Sequence, residues 1–227
     1  MREFTVKNRM KNIFNKTAIF NGPQVASLQY TGNLNPRSMF IVYNDVSTAN
    51  GSTPFTNDTG IGDGFTDDTR IYGGAIPFQV SFGAPHFVNG GFFFPTSIDR
   101  PNNFEMHSRI YTGNPSPNSE TYYLGKDTTL SNTSLGGISG AIAEVILYSD
   151  EIIPKERQVV ESYLAIKYGF TLDAIDNNNT IVEGDYILSD ETTKVWDYAA
   201  NNSYHNDVAG IGKDDAWVFF QKQSKSS

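Results

Sequence analysis

The residue types best suited to binding a metal lie in one glycine-rich stretch, residues 57–68. It holds four acidic side chains ahead of the next basic residue: Asp58, Asp63, Asp67 and Asp68. Calcium takes about six to eight oxygen ligands, and glycines let loop carbonyls turn toward an ion that carboxylates also hold. A cation also relieves the repulsion between neighbouring carboxylates. The stretch therefore predicts calcium as a cofactor, held by these four aspartates.

The same stretch also fits a solvated acidic loop in which Asp and Gly only form turns. Its spacing departs from the EF-hand pattern. If Asp63 and Gly64 take the fifth and sixth positions, Thr59 and Ile61 occupy positions that require acidic or amide side chains. The sequence leaves both alternatives open.

A catalytic pair of carboxylates is the next candidate. Glycoside hydrolases need two carboxyl groups facing one cleft, which on a strand requires acids at i and i+2 or i+4. The predicted strand 142–148 carries only Glu144, and no other predicted strand has alternating acids. We interpret Glu144 as a hydrogen-bonded strand acid and expect no catalytic residues and no enzyme. A glycoside hydrolase is the least favoured function.

Nucleophilic and redox chemistry find little support. The three histidines, His86, His107 and His205, are not adjacent to a serine in a nucleophile elbow, and we interpret them as structural. The chain has no cysteine, which excludes thiolate nucleophiles, thiolate zinc sites and disulfides. The stretch Gly210–Gly212 lacks the third glycine of a dinucleotide fingerprint and predicts a turn.

Aromatic side chains make up 13% of the chain and can stack on sugar rings beside amide and carboxylate groups. Phe92–Phe94 and Tyr122–Tyr123 are candidates, but in an alternating strand half of such side chains face the core. Only Tyr and Trp at loop ends would serve as stacking platforms. The sequence does not place them, so the ligand-binding residues stay unknown.

The elements that would position these groups are mostly strands. Short alternating or aromatic stretches between Gly, Pro, Asn and Asp clusters predict an all-β sandwich. The predicted strands are 17–20, 27–30, 38–44, 69–73, 78–82, 91–94, 103–111, 120–124 and 142–148, with loops that include 50–64 and 83–90.

One helix is predicted from Pro154 to Gly169. Proline suits the first helical position. Val160, Tyr163 and Leu164 follow at the spacing of one helix face. Gly169 suits a left-handed cap that ends the helix.

The formal net charge of −8 opposes general binding to nucleic acid, although residues 1–20 are basic. No apolar stretch reaches the roughly 18 residues of a membrane-spanning helix, so we expect no membrane span. The basic N-terminus lacks the apolar core of a signal peptide. An exported form would therefore have lost its signal, or the chain is an internal fragment.

The stretches Gly137–Tyr148 and Pro154–Gly169 resemble the closing strand and helix of a laminin-G-like, concanavalin A-like jelly-roll domain. The similarity is to the version found in large secreted surface proteins of Bacteroidetes. Ala18–Gly22 and Met39–Tyr43 are similar to earlier strands of that family. Further stretches are similar to the segments that follow this jelly roll: Leu188–Asp190, Val195–Asp197, Asn206–Asp215 and Gln221–Ser224. The usual leading tryptophan-containing strand is absent before Phe14.

The resemblance implies a two-sheet antiparallel jelly roll, often with calcium at one rim, one short helix after the last strand, and part of a second small β-rich module. We predict a basic arm over 1–16, the jelly roll over 17–170, a linker over 171–184 and the partial module over 185–227. The chain would be a fragment of a longer protein exported by type IX secretion.

The predicted function is a non-catalytic adhesion or lectin-like carbohydrate-binding module, extracellular or on the outer surface of a Gram-negative cell. Its partners would be a glycan or a surface protein and the neighbouring modules of the same chain, with no nucleic acid. The alternative is a structural spacer or assembly module of a surface filament or secretion-associated complex, with no small ligand.

Overall fold

The computed structural model describes residues 18–21, 28–32, 37–46, 52–57, 71–73, 86–93, 103–110, 120–124, 138–174, 181, 183–207, 212–214 and 219–221. Most elements in these ranges are strands, and the helices are few and short, so the chain is of the all-β class. The predicted fold class is confirmed at this level.

The described strands are, in chain order, β1 (Ala18–Asn21), β2 (Leu28–Gly32), β3 (Ser38–Asp45), β4 (Ser52–Asn57), β5 (Ile71–Gly73), β6 (His86–Val88), β7 (Gly91–Phe93), β8 (Glu105–Ile110), β9 (Glu120–Leu124), β10 (Ser139–Tyr148), β11 (Tyr186–Ile187), β12 (Lys194–Trp196), β13 (Gly212–Asp214) and β14 (Phe219–Gln221). The helices are α1 (Pro154–Tyr168), α2 (Tyr198–Asn201) and a 3₁₀ helix (Asn202–Asp207). Within the described residues, no helix has the length and apolar character that crossing a membrane requires.

Most predicted strands are confirmed, with ends that shift by a few residues. Two strands lie where loops were predicted: β4 falls within 50–64 and β6 within 83–90. Those two loop predictions are wrong, because pairing between strands extends into polar or turn-rich sequence there. The predicted strand 78–82 lies outside the described residues.

The chain divides into two compact units, and the first comprises residues 1–85, 94–104 and 109–151. In this unit β10 pairs antiparallel with β1 on one side and β3 on the other. A second antiparallel sheet has the order β2-β9-β4-β5. The register of β10 against β3 shifts between Ile142 and Glu144, as at a β-bulge.

The core of the first unit draws on both sheets. Its apolar cluster consists of Met39, Ile41, Tyr43, Leu124, Ile138, Ile142 and Leu147. Leu124 comes from β9, and the other members come from β3, from β10 and from the residue before β10. Residues 38–43 are buried without interruption, which is typical of a strand covered on both faces.

The second unit comprises residues 86–93, 105–108 and 152–227, and α1 is its longest element. The predicted helix is confirmed at both ends. Pro154 is the first helical residue, the Glu156 carboxylate accepts a hydrogen bond from the Ile153 amide (2.9 Å), and Gly169 ends the helix at φ 77°. The Gly169 amide then donates to the Ala165 carbonyl (2.8 Å), as in a left-handed C-terminal cap.

This second unit takes in both the helix and parts of the predicted linker. Leu172, Ile181 and Glu183 lie within 171–184 and are all buried. The compact units and the predicted domains rest on different criteria, so the boundaries at 16, 170 and 184 stay predictions.

Tyr186 joins two parts of the second unit through its hydroxyl. The side chain is 1% exposed, and its oxygen accepts a hydrogen bond from the Leu172 amide and donates one to the Phe170 carbonyl, both at 3.0 Å. Burial raises the pKa of Tyr186 to about 12, although the hydrogen bond from Leu172 opposes the shift. The hydroxyl therefore stays neutral and able to donate across the physiological pH range.

We expect Tyr186→Phe to lower the free energy of unfolding by about 1–3 kcal/mol, because the Leu172 amide and the Phe170 carbonyl lose their partner in the interior. Urea denaturation measures the change. Tyr204→Phe is the matched control, since Tyr204 is 66% exposed, and should stay within about 0.5 kcal/mol of wild type. Equal effects of the two substitutions would contradict a bridging role for the Tyr186 hydroxyl.

Candidate functional site

The predicted calcium ligands Asp58, Asp63, Asp67 and Asp68 lie outside the described residues. In the part of the chain that the structure describes, no group of three or more His, Asp and Glu side chains is arranged to hold a metal ion. That finding does not bear on the acidic loop, so the calcium site stays a prediction.

Glu144 and two of the histidines lie within the packed structure. Glu144 is 5% exposed in β10, beside the irregularity in its pairing with β3. His107 is fully buried in β8, with Nε2 3.4 Å from the Glu105 carboxylate. His205 is half-buried, and its Nε2 contacts the Leu172 carbonyl. These positions fit the structural roles proposed for them, while the side chain of His86 is outside the description.

Sequence reasoning missed a buried charged cluster in the second unit, which we call the Arg157 cluster: Arg157, Glu161, Glu183 and Ser108. Arg157 is 1% exposed and donates from Nη1 to Oε2 of Glu161 (2.6 Å) and from Nη2 to Oε1 of Glu183 (3.1 Å). The Ser108 hydroxyl donates to the other oxygen of Glu161 (2.8 Å). One guanidinium thus links α1 to residue 183, and Glu161 links α1 to β8.

The hairpin of β6 and β7 completes the surroundings of Arg157. The guanidinium carbon lies 3.8 Å from the centre of the Phe87 ring, a cation–π contact. Nη1 also donates to the Gly90 carbonyl (3.2 Å). The guanidinium of Arg157 therefore contacts two carboxylates, one backbone carbonyl and one aromatic ring.

Electrostatics keep Arg157 charged despite its burial. Burial alone lowers the pKa of Arg157, but the charges of Glu161 and Glu183 and their hydrogen bonds outweigh it and raise the pKa above its ordinary value. Arginine is protonated throughout the working pH range in any case. The cluster is thus a fixed ionic crosslink, and its chemistry suits positioning of backbone rather than proton transfer.

One sequence signal could have identified half of this cluster. Arg157, Val160, Glu161 and Leu164 share the i, i+3, i+4, i+7 spacing of one helix face. An Arg and a Glu four residues apart are usually taken as an exposed pair. Here they occupy the apolar face, which indicates a buried pair.

A second ionic group lies at β12. The Asp185 carboxylate is 2% exposed, contacts Lys194 Nζ at 2.6 Å and accepts from the Tyr198 amide (2.8 Å). Asp197 caps α2 by accepting from the Ala200 amide (3.1 Å), a bond that lowers the pKa of Asp197. The hydrogen bond to Asp185 is the main cause that raises the pKa of Lys194. These charges fix the start of α2.

Among the described residues, the aromatic side chain with the greatest exposure lies in the 3₁₀ helix that follows α2. Tyr204 is 66% exposed, and the neighbouring residues Asn202, Ser203 and Asn206 are exposed as well. We call this set the Tyr204 surface. It combines a phenol ring with amide and hydroxyl groups that donate and accept hydrogen bonds. The sequence limits stacking platforms to Tyr and Trp at loop ends, whereas Tyr204 lies in the 3₁₀ helix; it shares with such platforms the exposed ring.

We expect Arg157→Met to lower the free energy of unfolding by about 3–5 kcal/mol, because two buried carboxylates lose the guanidinium that pairs with them. Equilibrium denaturation measures the change. Adding Glu161→Gln and Glu183→Gln to the same chain should recover part of the loss, since no unpaired charge then stays buried.

The control for this prediction is Arg37→Met in the first unit. Arg37 pairs with Glu151 at 2.7 Å, but the two side chains are 24% and 40% exposed. Such pairs contribute about 0–1 kcal/mol. Losses of equal size in the two variants would show that burial of Arg157 is not what makes its ion pairs important.

Asp190 forms the turn between β11 and β12. One carboxylate oxygen accepts from the amides of Thr192 (3.0 Å) and Thr193 (2.8 Å), and the other accepts from the Thr193 hydroxyl. These bonds, the hydroxyl bond foremost, lower the pKa of Asp190 from 3.8 to about 2. Because the folded pKa is the lower one, the stabilisation is complete above pH 3.8 and is lost as the pH falls toward about 2.

We expect Thr193→Val to raise the pKa of Asp190 toward 3.8, because it removes the hydroxyl donor but keeps both amide donors. Thr192→Val is the matched control and should leave this pKa near about 2, since the Thr192 side chain contributes least to the shift. NMR titration of the Asp190 carboxyl carbon measures both. Equal shifts in the two variants would refute the assignment to the Thr193 hydroxyl.

A family model described as a domain of unknown function (DUF8202) matches residues 156–227, which is less than half of the chain. No curated protein and no solved structure matches the chain. The matched stretch begins inside α1 and includes Arg157, Glu161, Glu183 and the Tyr204 surface.

Proposed function

We propose that the chain is a non-catalytic, carbohydrate-binding or adhesion module of a larger secreted surface protein. The observation that carries this proposal is the Tyr204 surface. An exposed aromatic ring can stack on the C–H face of a sugar ring, and adjacent amides and hydroxyls can hydrogen-bond its hydroxyl groups. Single exposed aromatic residues are common on proteins, so the polar neighbours are what single out this one.

The charged groups of the second unit support a role without catalysis. In the Arg157 cluster and at Asp185, Asp190 and Asp197, the carboxylates accept hydrogen bonds from the chain itself. Catalysis by Glu144 would need a second carboxyl group facing the same cleft, and Glu144 is buried in β10.

The finer parts of the proposal rest on the family resemblance. They are a laminin-G-like jelly roll for the β-rich part, calcium at the acidic loop of residues 57–68, and export by type IX secretion to the outer surface of a Gram-negative cell. The two antiparallel sheets of the first unit are compatible with the jelly roll.

A spacer or assembly module is the second candidate, and strand β1 favours it. Among the described strands, β1 pairs only with β10, and its Ile19 is 71% exposed. An open strand edge is a template for pairing with another chain. A neighbouring module of the same surface protein could add a strand there.

A glycan array probed with the whole chain distinguishes the two candidates. We expect specific binding that free sugar competes away, and an affinity loss on the order of tenfold in Tyr204→Ala, about 1.4 kcal/mol. Tyr204→Phe should keep most of the affinity because the ring is retained. Val195→Ala, at another exposed residue of this unit (48%), should bind like wild type.

Two outcomes would overturn the assignment. If the wild-type chain binds no glycan on the array, the spacer is favoured. Self-association in sedimentation experiments that is lost in Ile19→Lys would support the spacer further. Unchanged binding by Tyr204→Ala would place the glycan site elsewhere on the chain.

A further inference from the structure

The hairpin of β6 and β7 belongs to the same compact unit as α1, although it lies far upstream in the sequence. Its turn consists of Asn89 and Gly90, with φ values of 48° and 85°. Two successive positive φ values are typical of the type I′ turn that Asn-Gly favours in tight hairpins. The hairpin is therefore a locally specified element with a fixed shape.

Hydrogen bonds of Asn89, through its backbone and its side chain, hold the tip of this hairpin on two sides. The Asn89 amide donates to the Met106 carbonyl (2.8 Å), and the Met106 amide donates to the Asn89 side chain (2.9 Å). On the other side the Asp173 amide donates to the Asn89 carbonyl (2.7 Å). The turn is thus bound both to β8 and to the segment that follows α1.

The fit of the hairpin depends on two glycines. A Cβ atom at Gly90 would lie 3.3 Å from the Leu172 side chain and 3.5 Å from the Glu161 carboxylate. A Cβ atom at Gly91 would lie 2.6 Å from Cβ of Asp173, closer than such atoms approach. A side chain at 91 would require Asp173 or the hairpin to shift, while at 90 the positive φ of 85° strains any residue other than glycine.

The hairpin also completes the solvation of Arg157. It supplies the Phe87 ring and the Gly90 carbonyl, while Glu161 and Glu183 supply the charges. If the hairpin were absent, one face of the guanidinium and one of its donors would lose their partners. A buried charge that lacks part of its partners is strongly destabilising.

We propose that α1 and residues 172–173 form a docking surface for a glycine-rich β-hairpin, and that the family-matching segment 156–227 folds stably only when residues 86–93 of this chain occupy that surface. The recognised features are an aromatic ring at 87, an Asn-Gly turn at 89–90 and a glycine at 91. This dependence concerns the folding of the unit and does not rest on the proposed glycan binding.

Hydrogen exchange of the intact wild-type chain tests the proposal directly. Three amides report on it: Asn89 in the hairpin, Asp173 at the docking surface, and Ile187, which donates to Ser162 of α1 at 3.0 Å. If the hairpin is required, these amides open in one cooperative event. We expect their protection factors at low denaturant to agree within about tenfold. Protection of Ile187 that exceeds that of Asn89 by more than about tenfold would overturn the proposal.

Substitutions give a second, independent test in the full chain. Gly91→Ala should raise the exchange rates of Asn89, Asp173 and Ile187 together, because the added methyl group collides with Asp173. Asp173→Gly keeps the backbone amide and removes the collision, so Gly91→Ala should cost less protection in the Asp173→Gly background than in the wild-type background.

Loss of protection at Asn89 alone in Gly91→Ala, with Ile187 unchanged, would mean that the family-matching segment folds without the hairpin. If Gly91→Ala does not yield folded protein, the wild-type exchange pattern decides between the two models. The glycan array result is unaffected by either outcome in the wild-type chain, so failure of this proposal and failure of the proposed function are separable.

Discussion

A guanidinium with almost no exposure to water organises the second unit. Moving an ion out of water costs several kcal/mol even after the surroundings relax, and the cost is offset only if its partners have good geometry. Arg157 takes its partners from three separate stretches: Glu161 in the same helix, Glu183 after it, and the hairpin that contains Phe87 and Gly90. Because the partners come from three stretches, the charge is fully compensated only when all three pack around it. Cooperativity of this kind is characteristic of fully satisfied buried polar networks.

Other polar side chains of α1 form hydrogen bonds with buried backbone groups of the segment that follows the helix. Gln158 donates to the Asp185 carbonyl (3.2 Å), and the Ser162 hydroxyl accepts from the Ile187 amide (3.0 Å). Strand β11 is only two residues long and pairs with β12, so its ladder is short and buried backbone groups beside it need other partners. The helix therefore replaces part of a sheet edge for these residues. This explains why a helix that packs in the interior carries so many polar residues on its buried surface.

Local sequence patterns predicted the elements whose formation depends on neighbouring residues in the chain. Proline at the first helical position and glycine at the left-handed cap located both ends of α1, and alternation located strands such as β9. These patterns failed at β4, which contains Pro54 and polar residues, because its pairing with β9 comes from tertiary contacts. The loop predicted over 83–90 overlaps a hairpin that the sequence itself indicates. Asn89-Gly90 between apolar residues is a strong hairpin signal, although Gly and Pro surround it.

The sequence predicts only part of the buried charged cluster, because the position of Glu183 depends on tertiary packing. The spacing of Arg157 and Glu161 with Val160 and Leu164 indicates a pair on the apolar face of the helix. Nothing in the local sequence indicates that Glu183 is the second partner, because its burial depends on how the chain returns to α1 after Gly169. Yet the charge of Glu183 limits how the segment after Gly169 can pack against α1. A packing that buries Glu183 away from the guanidinium would have to supply another countercharge, whereas the observed one places it 3.1 Å from Arg157. The pair therefore contributes to the choice among compact arrangements even where its net contribution to stability is small.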